Sequence, residues 1–165
     1  MPRRPSPAVK VRRARPGDLA AVDLIEQRSF TADRFARATL RRLLAASSAD
    51  GLIAEVAGPA AGYAIVLYRS GSTVARLYSI AVDPAARGQG VASALLAAAE
   101  RAARARGCCV LRLEVRASNH SALSLYRRAG FTLLERKPGY YLDREDALRL
   151  EKRLGPCKQG GRSAY

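Results

Sequence analysis

Apolar positions along the chain follow two periods. Short runs that alternate or stay apolar between Gly, Pro, Asp or Ser predict strands. These are VKVRRA near the start, GLIAEVA and GYAIVLY around Gly58-Pro59, VARLYSIAV before Asp83-Pro84, CVLRLEVR, FTLLERK and DALRLEKRL. Apolar positions three and four apart predict helices in GDLAAVDLIEQRSF, ARATLRRLLAAS, GQGVASALLAAAERAARARG and SNHSALSLYRRAG. In the third of these, Val91, Leu95, Ala98, Ala99 and Ala102 line one face. Glu100 stands four residues before Arg104, the spacing of a helical ion pair. Gly107 and Gly130 are natural C-terminal stops, and Ser118 or Asn119 opens the last helix. Strand, helix and strand across 74–116 require a parallel pair with a right-handed crossover, so the class is α/β.

Length changes this picture little: 165 residues, 48% hydrophobic, fit one domain with one core. We place it at 10–154, between a basic disordered tail at 1–9 and a flexible tail at 155–165. GLIAEVAGPAAGYAIVLY is broken by Glu55 and Gly58-Pro59, so it predicts two strands rather than a membrane span. Met1 to Arg15 has no apolar h-region, and a cytoplasmic protein is expected.

Charge adds a possible partner class. The formal net charge is +15; six basic residues precede Asp18 and two follow Leu154, with no acid among them. Such a field attracts nucleic acid, a ribosome or a phosphate-rich cofactor. It equally fits an arginine-biased surface that serves solubility. The three cysteines, Cys108, Cys109 and Cys157, form neither a disulfide framework nor a metal spacing and read as buried or inert thiols. No metal is expected, and His120, the single histidine, reads as a first-turn helix residue.

Candidate chemistry begins at VDPAARGQGVASALL. Gly88 and Gly90 sit where a helix begins, and its first N–H groups are unpaired. Without Cβ atoms, that backbone can approach a phosphate, and Arg87 can add a charged contact. Many strand–turn–helix units carry glycines merely to turn. A Walker loop is excluded because no Gly-Lys-Ser/Thr is present. A dinucleotide fingerprint fits poorly, since Ser93 replaces its third glycine and five residues separate strand from Gly88.

Arg87-x-x-Gly90-x-Ala92 after a strand resembles the cofactor motif of the GNAT N-acetyltransferases. SIAVDP, LEVRASN, LYRRAGF and GYY together resemble the family's RimI-like group, which acetylates a ribosomal protein N-terminus. The resemblance covers about residues 10 to 154. It implies a single GNAT-type domain: a mixed central sheet, its parallel fourth and fifth strands splayed around the cofactor site, with helices on both faces. It implies acetyl-CoA as co-substrate, with the acetyl-pantetheine arm on the backbone of Ile80, Ala81 and Val82. The pyrophosphate would lie on Arg87, Gly88, Gln89, Gly90, Val91, Ala92 and Ser93, and Asn119 would also touch the cofactor. Glu114 would be general base and Tyr126 general acid. Tyr78, Tyr140 and Tyr141 would hold the acceptor, a protein or peptide N-terminus, a ribosomal protein being one candidate. The group's Pro-Trp after IEQR is replaced here by SFTADRF, in the region that would shape the acceptor groove.

The residue types suit acetyl transfer. An α-amine with a pKa near ~8 costs only about 1.4 kcal/mol to deprotonate at pH 7, whereas a lysine costs about 4.6 kcal/mol. One carboxylate acting through water meets the smaller demand, and a tyrosine can protonate a departing thiolate. Each residue has a plainer reading. Glu114 shares a strand face with Arg112 and Arg116 and can be their ion partner; Tyr126 can be a core ring; Asn119 can be an N-cap; the other tyrosines can be strand and hairpin aromatics. Two other functions remain open: acetylation of a small-molecule amine, and an inactive ribosome- or RNA-binding module. Nucleic-acid contact would run through the basic tails.

Overall fold

The protein is described here from a computed structural model covering residues 5–157. The predicted tails fall partly outside those limits, at residues 1–4 and 158–165. Every predicted element forms: β1 (Val9–Arg13), α1 (Leu19–Ser29), α2 (Arg37–Ala45), β2 (Ala49–Val56), β3 (Ala60–Leu67), β4 (Val74–Val82), α3 (Val91–Ala105), β5 (Val110–Arg116), α4 (His120–Arg128), β6 (Thr132–Lys137) and β7 (Ala147–Arg153). A 3-10 turn at Pro16–Asp18 precedes α1, and another at Pro84–Ala86 precedes the glycine loop.

The strands form one mixed sheet in the order β1-β2-β3-β4-β5-β7-β6, with β4 and β5 parallel. On one face α3 and α4 cover a core that includes Leu77, Val91, Leu95, Leu96, Leu111, Leu113, Leu123 and Phe131. On the other, α1 and α2 cover a second core of Val22, Ile25, Leu40, Ile53, Tyr63 and Ile65. Gly62 lets α3 approach. A Cβ there would meet the Ala81 carbonyl oxygen at 2.8 Å and a Val91 methyl at 2.9 Å.

Two irregularities shape the sheet's centre. Between Leu77 and Ser79, β4 bulges at Tyr78 against Ile65–Val66 of β3. The extra residue exchanges the faces of the strand. Ala75 and Leu77 join the α3 core, whereas Ala81 joins the α1–α2 core. In addition, β4 and β5 pair only from Val74↔Val110 to Arg76↔Arg112, although both continue further. Beyond that point they diverge into a wedge.

Three local expectations are corrected. Glu100 does not pair with Arg104; it is buried and accepts a 2.7 Å bond from Lys152, while Arg104 donates to the Leu154 carbonyl. Packing of α3 against the sheet turns Glu100 inward, where only a β7 cation can reach it. The cysteines are not all free thiols: Cys109 and Cys157 form a disulfide, and Cys108 is free and buried. The chain returns along β5 after β7, where the Leu154 N–H bonds the Cys109 carbonyl, so two residues 48 apart in sequence become neighbours. Finally, part of the charge near the N-terminus is built into the fold. Arg12 pairs with Asp18 and Glu55, and Arg13 with the buried Asp50.

Candidate active site

The wedge brings together the three segments singled out in the sequence. Ile80, Ala81 and Val82 lie at the end of β4, past its last pairing with β5. Main-chain groups that would meet β5 there are left for another partner. Asp83 then turns the chain by accepting from the Ala85 N–H, and the loop from Arg87 to Gly90 delivers it into α3. Gly88 and Gly90 have φ of +77° and +79°, and a Cβ at either would meet nothing within 4 Å. Glycine is needed there for the left-handed backbone, not for lack of room. Gly90 gives α3 no side-chain cap, so the N–H groups of Val91, Ala92 and Ser93 stay unpaired at the positive end of a 15-residue helix. Gln89 is half-buried, and Arg87 and Ser93 are exposed beside it. Such a backbone could hold a polyphosphate.

Asn119 is the N-cap of α4, its Oδ1 accepting from the Ala122 N–H at 3.1 Å. The plainer reading of this residue therefore holds, and only its amide NH2 remains for a ligand. Ser118 instead donates to Glu145. His120 is the first residue of α4.

Glu114 and Tyr126 lie on opposite faces of the sheet, Glu114 on β5 past its last pairing with β4 and Tyr126 on α4. Glu114 alternates with the buried Leu113 and Val115 and so projects from the other face of β5, which no helix covers. Its side chain is only 8% exposed because two arginines close over it. Oε2 accepts from Arg76 Nε at 3.1 Å, and Oε1 accepts from Arg149 Nε and Nη2 at 3.1 and 2.9 Å. The partners expected from the strand, Arg112 and Arg116, are engaged elsewhere. Arg112 bonds Glu151, and Arg116 bonds Asp33, Asp143 and Glu145. Neither Arg76 nor Arg149 was legible beforehand. Each is a cross-strand neighbour, and Arg149 stands directly opposite Glu114 in the β5–β7 register.

Tyr126 packs within the α3–α4 core against Phe131, 5.7 Å between ring centroids. Burial, with a smaller effect from Tyr141, raises its phenol well above the ordinary tyrosine range. Among the described residues no side-chain polar atom is both buried and unpartnered. Among the described residues no group bonds the Tyr126 hydroxyl, so that oxygen is the accessible tip of an otherwise enclosed ring.

The three tyrosines expected to hold an acceptor gather on the Glu114 side. Tyr78, the bulged residue, stacks on Phe35 at 5.0 Å. Tyr140 meets Tyr141 edge-on at 5.1 Å and accepts from Arg76 at 3.2 Å. Arg116 lies 4.1 Å from the Tyr141 ring centroid. Burial pushes the Tyr141 phenol up to about 12 against the pull of Arg116, with Tyr140 and Glu114 adding to the rise.

Cysteine chemistry finds no footing in the wedge. Cys109 is held in its disulfide, and burial raises the Cys108 thiol against the pull of Arg106. Among the described residues no group of His, Cys, Asp and Glu could hold a metal ion.

Residues 19–131 match the family model described as the acetyltransferase (GNAT) family. The chain belongs to the GNAT acetyltransferase family. The crystal structure of the ribosomal-protein-S18-alanine N-acetyltransferase from Escherichia coli is similar over 96% of this chain and 99% of that one, with 30% identity and a TM-score of 0.81. Ard1 from Thermoplasma volcanium is 30% identical with a TM-score of 0.80, over 88% of this chain and 97% of that one. A ribosomal protein bS18-alanine N-acetyltransferase of Haemophilus ducreyi is 45% identical over 67 residues, 41% of this chain and 46% of that protein. The matched segment therefore spans less than half of that relative. Acetyl-CoA is the co-substrate of a GNAT acetyltransferase, and the residues present fit it. Open N–H groups and Arg87 suit its pyrophosphate, and the unpaired edge of β4 suits the amides of its pantetheine.

Proposed function

We propose that this GNAT domain transfers an acetyl group from acetyl-CoA to the N-terminal α-amine of a protein or peptide, directly within a ternary complex. One observation carries the reading. A carboxylate on β5, just past its last pairing with β4, and a phenol on the opposite face of the sheet, unpartnered among the described residues, offer a base and an acid.

Acetyl-CoA, when bound, supplies an activated acyl thioester. The chain's residues do the rest. Ile80, Ala81 and Val82 orient the arm through their backbone, and Arg87 to Ser93 hold the phosphates. Arg76 and Arg149 hold Glu114 in place, and its carboxylate would take the amine's proton through a bridging water. That suffices for an α-amine, which at pH 7 is about 1.4 kcal/mol from neutrality, but poorly for a lysine at about 4.6 kcal/mol. Tyr126, kept protonated by burial, donates from its free hydroxyl to the departing sulfur. Tyr78, Tyr140 and Tyr141 line the acceptor side. A ribosomal protein N-terminus is the favoured acceptor, as two of the relatives named above are ribosomal-protein alanine N-acetyltransferases. A cytoplasmic setting belongs to the same reading; no helix among the described residues is long and apolar enough to cross a membrane. The basic tails are not required for transfer.

Thiol release from acetyl-CoA, measured over a panel of short peptides with free N-termini, lysine side chains and small amines, tests this. Turnover is expected on α-amines first. Preference for a small amine would replace the peptide acceptor, and RNA binding without turnover on any amine would favour the inactive module.

A further inference from the structure

Glu26 is the one carboxylate in the α1–α2 core without a cation among its partners. It lies on α1, 1% exposed, among Val22, Ile25, Leu40, Ile53 and Ile65. Burying a carboxyl group among aliphatic side chains is costly unless its oxygens are hydrogen-bonded. Here both are. Oε1 accepts from the Phe35 N–H at 3.0 Å, and Oε2 accepts from the Tyr63 hydroxyl. Tyr63 in turn shares a 2.9 Å hydrogen bond with Ser79 Oγ, next to the bulge at Tyr78.

One side chain thus ties the 30–36 loop to β4 at the point where that strand changes faces. The loop carries two contacts to the acceptor side. The Phe35 ring stacks on Tyr78, and Asp33 pairs with the Arg116 guanidinium that covers Tyr141. Asp33 itself sits at a φ of +56°, a conformation a non-glycine residue holds only when its surroundings impose it.

We propose that Glu26 is a positioning residue: it pins the 30–36 loop against β4 so that Phe35 and Asp33 set the acceptor-side wall of the wedge. This rests on the acceptor reading given above. An apolar residue of similar size would pack in the same core and relieve it of a buried carboxyl group. What it would not do is hold the Phe35 amide.

The test compares the full chain with Glu26→Leu and Glu26→Gln. Amide exchange of the 30–36 loop, acetyl-CoA affinity by calorimetry, and steady-state kinetics with a short peptide are measured for each. In Glu26→Leu the Phe35 amide is expected to exchange roughly tenfold faster or more, as its hydrogen bond is gone. Peptide KM is expected to rise roughly tenfold, with kcat and acetyl-CoA affinity changed by less than about threefold. Glu26→Gln keeps one acceptor for Phe35 and a donor toward Tyr63, so both effects shrink; it carries the same comparison if the leucine variant does not fold. Unchanged Phe35 exchange overturns the proposal. So does unchanged KM alongside faster exchange, since the loop is then pinned but forms no wall. If the wild type acetylates only small amines, the peptide reading fails. KM for that amine then replaces peptide KM, and the exchange measurement is unaffected.

Discussion

At the scale of residues, the site separates chemistry from packing, and that makes it testable. Tyr126→Phe removes a hydroxyl that no group among the described residues bonds, so the thermal midpoint is expected to stay within a degree or two. Turnover is expected to fall roughly a hundredfold, because general acid–base groups contribute about 10²–10⁴. Equal losses of stability and turnover would make Tyr126 a core ring. Glu114→Gln is also expected to cost roughly a hundredfold at pH 7 while acetyl-CoA still binds. Its defect should shrink as pH rises through ~8, where more of the α-amine is neutral without help. A defect constant from pH 6 to 9 would assign Glu114 to its arginines alone. Family motifs are what nominated these two residues. Their surroundings were not legible. Arg76 and Arg149 are brought to Glu114 by strand pairing across 38 and 35 residues. No periodicity reports such a register, and the nearer Arg112 and Arg116 were the natural guess.

At the scale of elements, hydrophobic period carried nearly everything. VARLYSIAV became β4 residue for residue, and the other strands and helices differ from expectation mainly at their ends. What stayed hidden was the bulge at Tyr78. Both faces of β4 are apolar, so a change of face leaves no mark on the pattern. The glycines sort into two kinds that a sequence cannot tell apart. Gly62 is a packing glycine: Gly62→Ala is expected to destabilise by about 1–3 kcal/mol in denaturant melts, since its Cβ would strike backbone and α3. Gly90 is a conformational glycine and, in the proposed function, a binding one. Gly90→Asp adds a left-handed side chain and a negative charge at the phosphate cradle, so it is expected to abolish acetyl-CoA binding in calorimetry while the chain still folds. Retained binding would move the phosphates away from this loop.

At the scale of the whole molecule, charge and covalent closure decide how the ends behave. Asp18 is held down to about 2, first by its hydrogen bond from Arg12 and further by the Arg15 N–H, against burial. Its folded value lies below its unfolded one. Its contribution is therefore complete above the ordinary aspartate range and is lost as pH falls through about 2. Asp18→Asn should leave a melt at pH 7 less stable and make the loss of stability below pH 4 shallower. The bridge from Cys109 to Cys157 makes the other end part of the fold, where the sequence had promised only a loose tail. It closes the start of β5 on the chain just after β7, two strands that pair along their length.

That bridge yields the most decisive experiment on the setting of the protein. Closing a loop of this length constrains the unfolded chain and typically stabilises by about 2–4 kcal/mol. Reduction, or Cys157→Ser, is expected to lower the thermal midpoint by several degrees. Acetyl-CoA affinity should not change, because Cys109 immediately precedes β5 at the end where β4 and β5 still pair, on the far side of that pairing from the wedge. Removing only residues 158–165 should leave both stability and turnover unchanged, whereas removal from residue 156 should reproduce the reduced protein. Disulfides rarely persist in a reducing cytoplasm. Thiol labelling of protein taken rapidly from growing cells therefore decides between two outcomes. Three labelled cysteines would place the working enzyme in a reducing compartment, with the bridge closing only on oxidation. Cys108 labelled alone, after unfolding, would show that the bridge is a permanent part of the fold and would remove the cytoplasmic setting from the proposal.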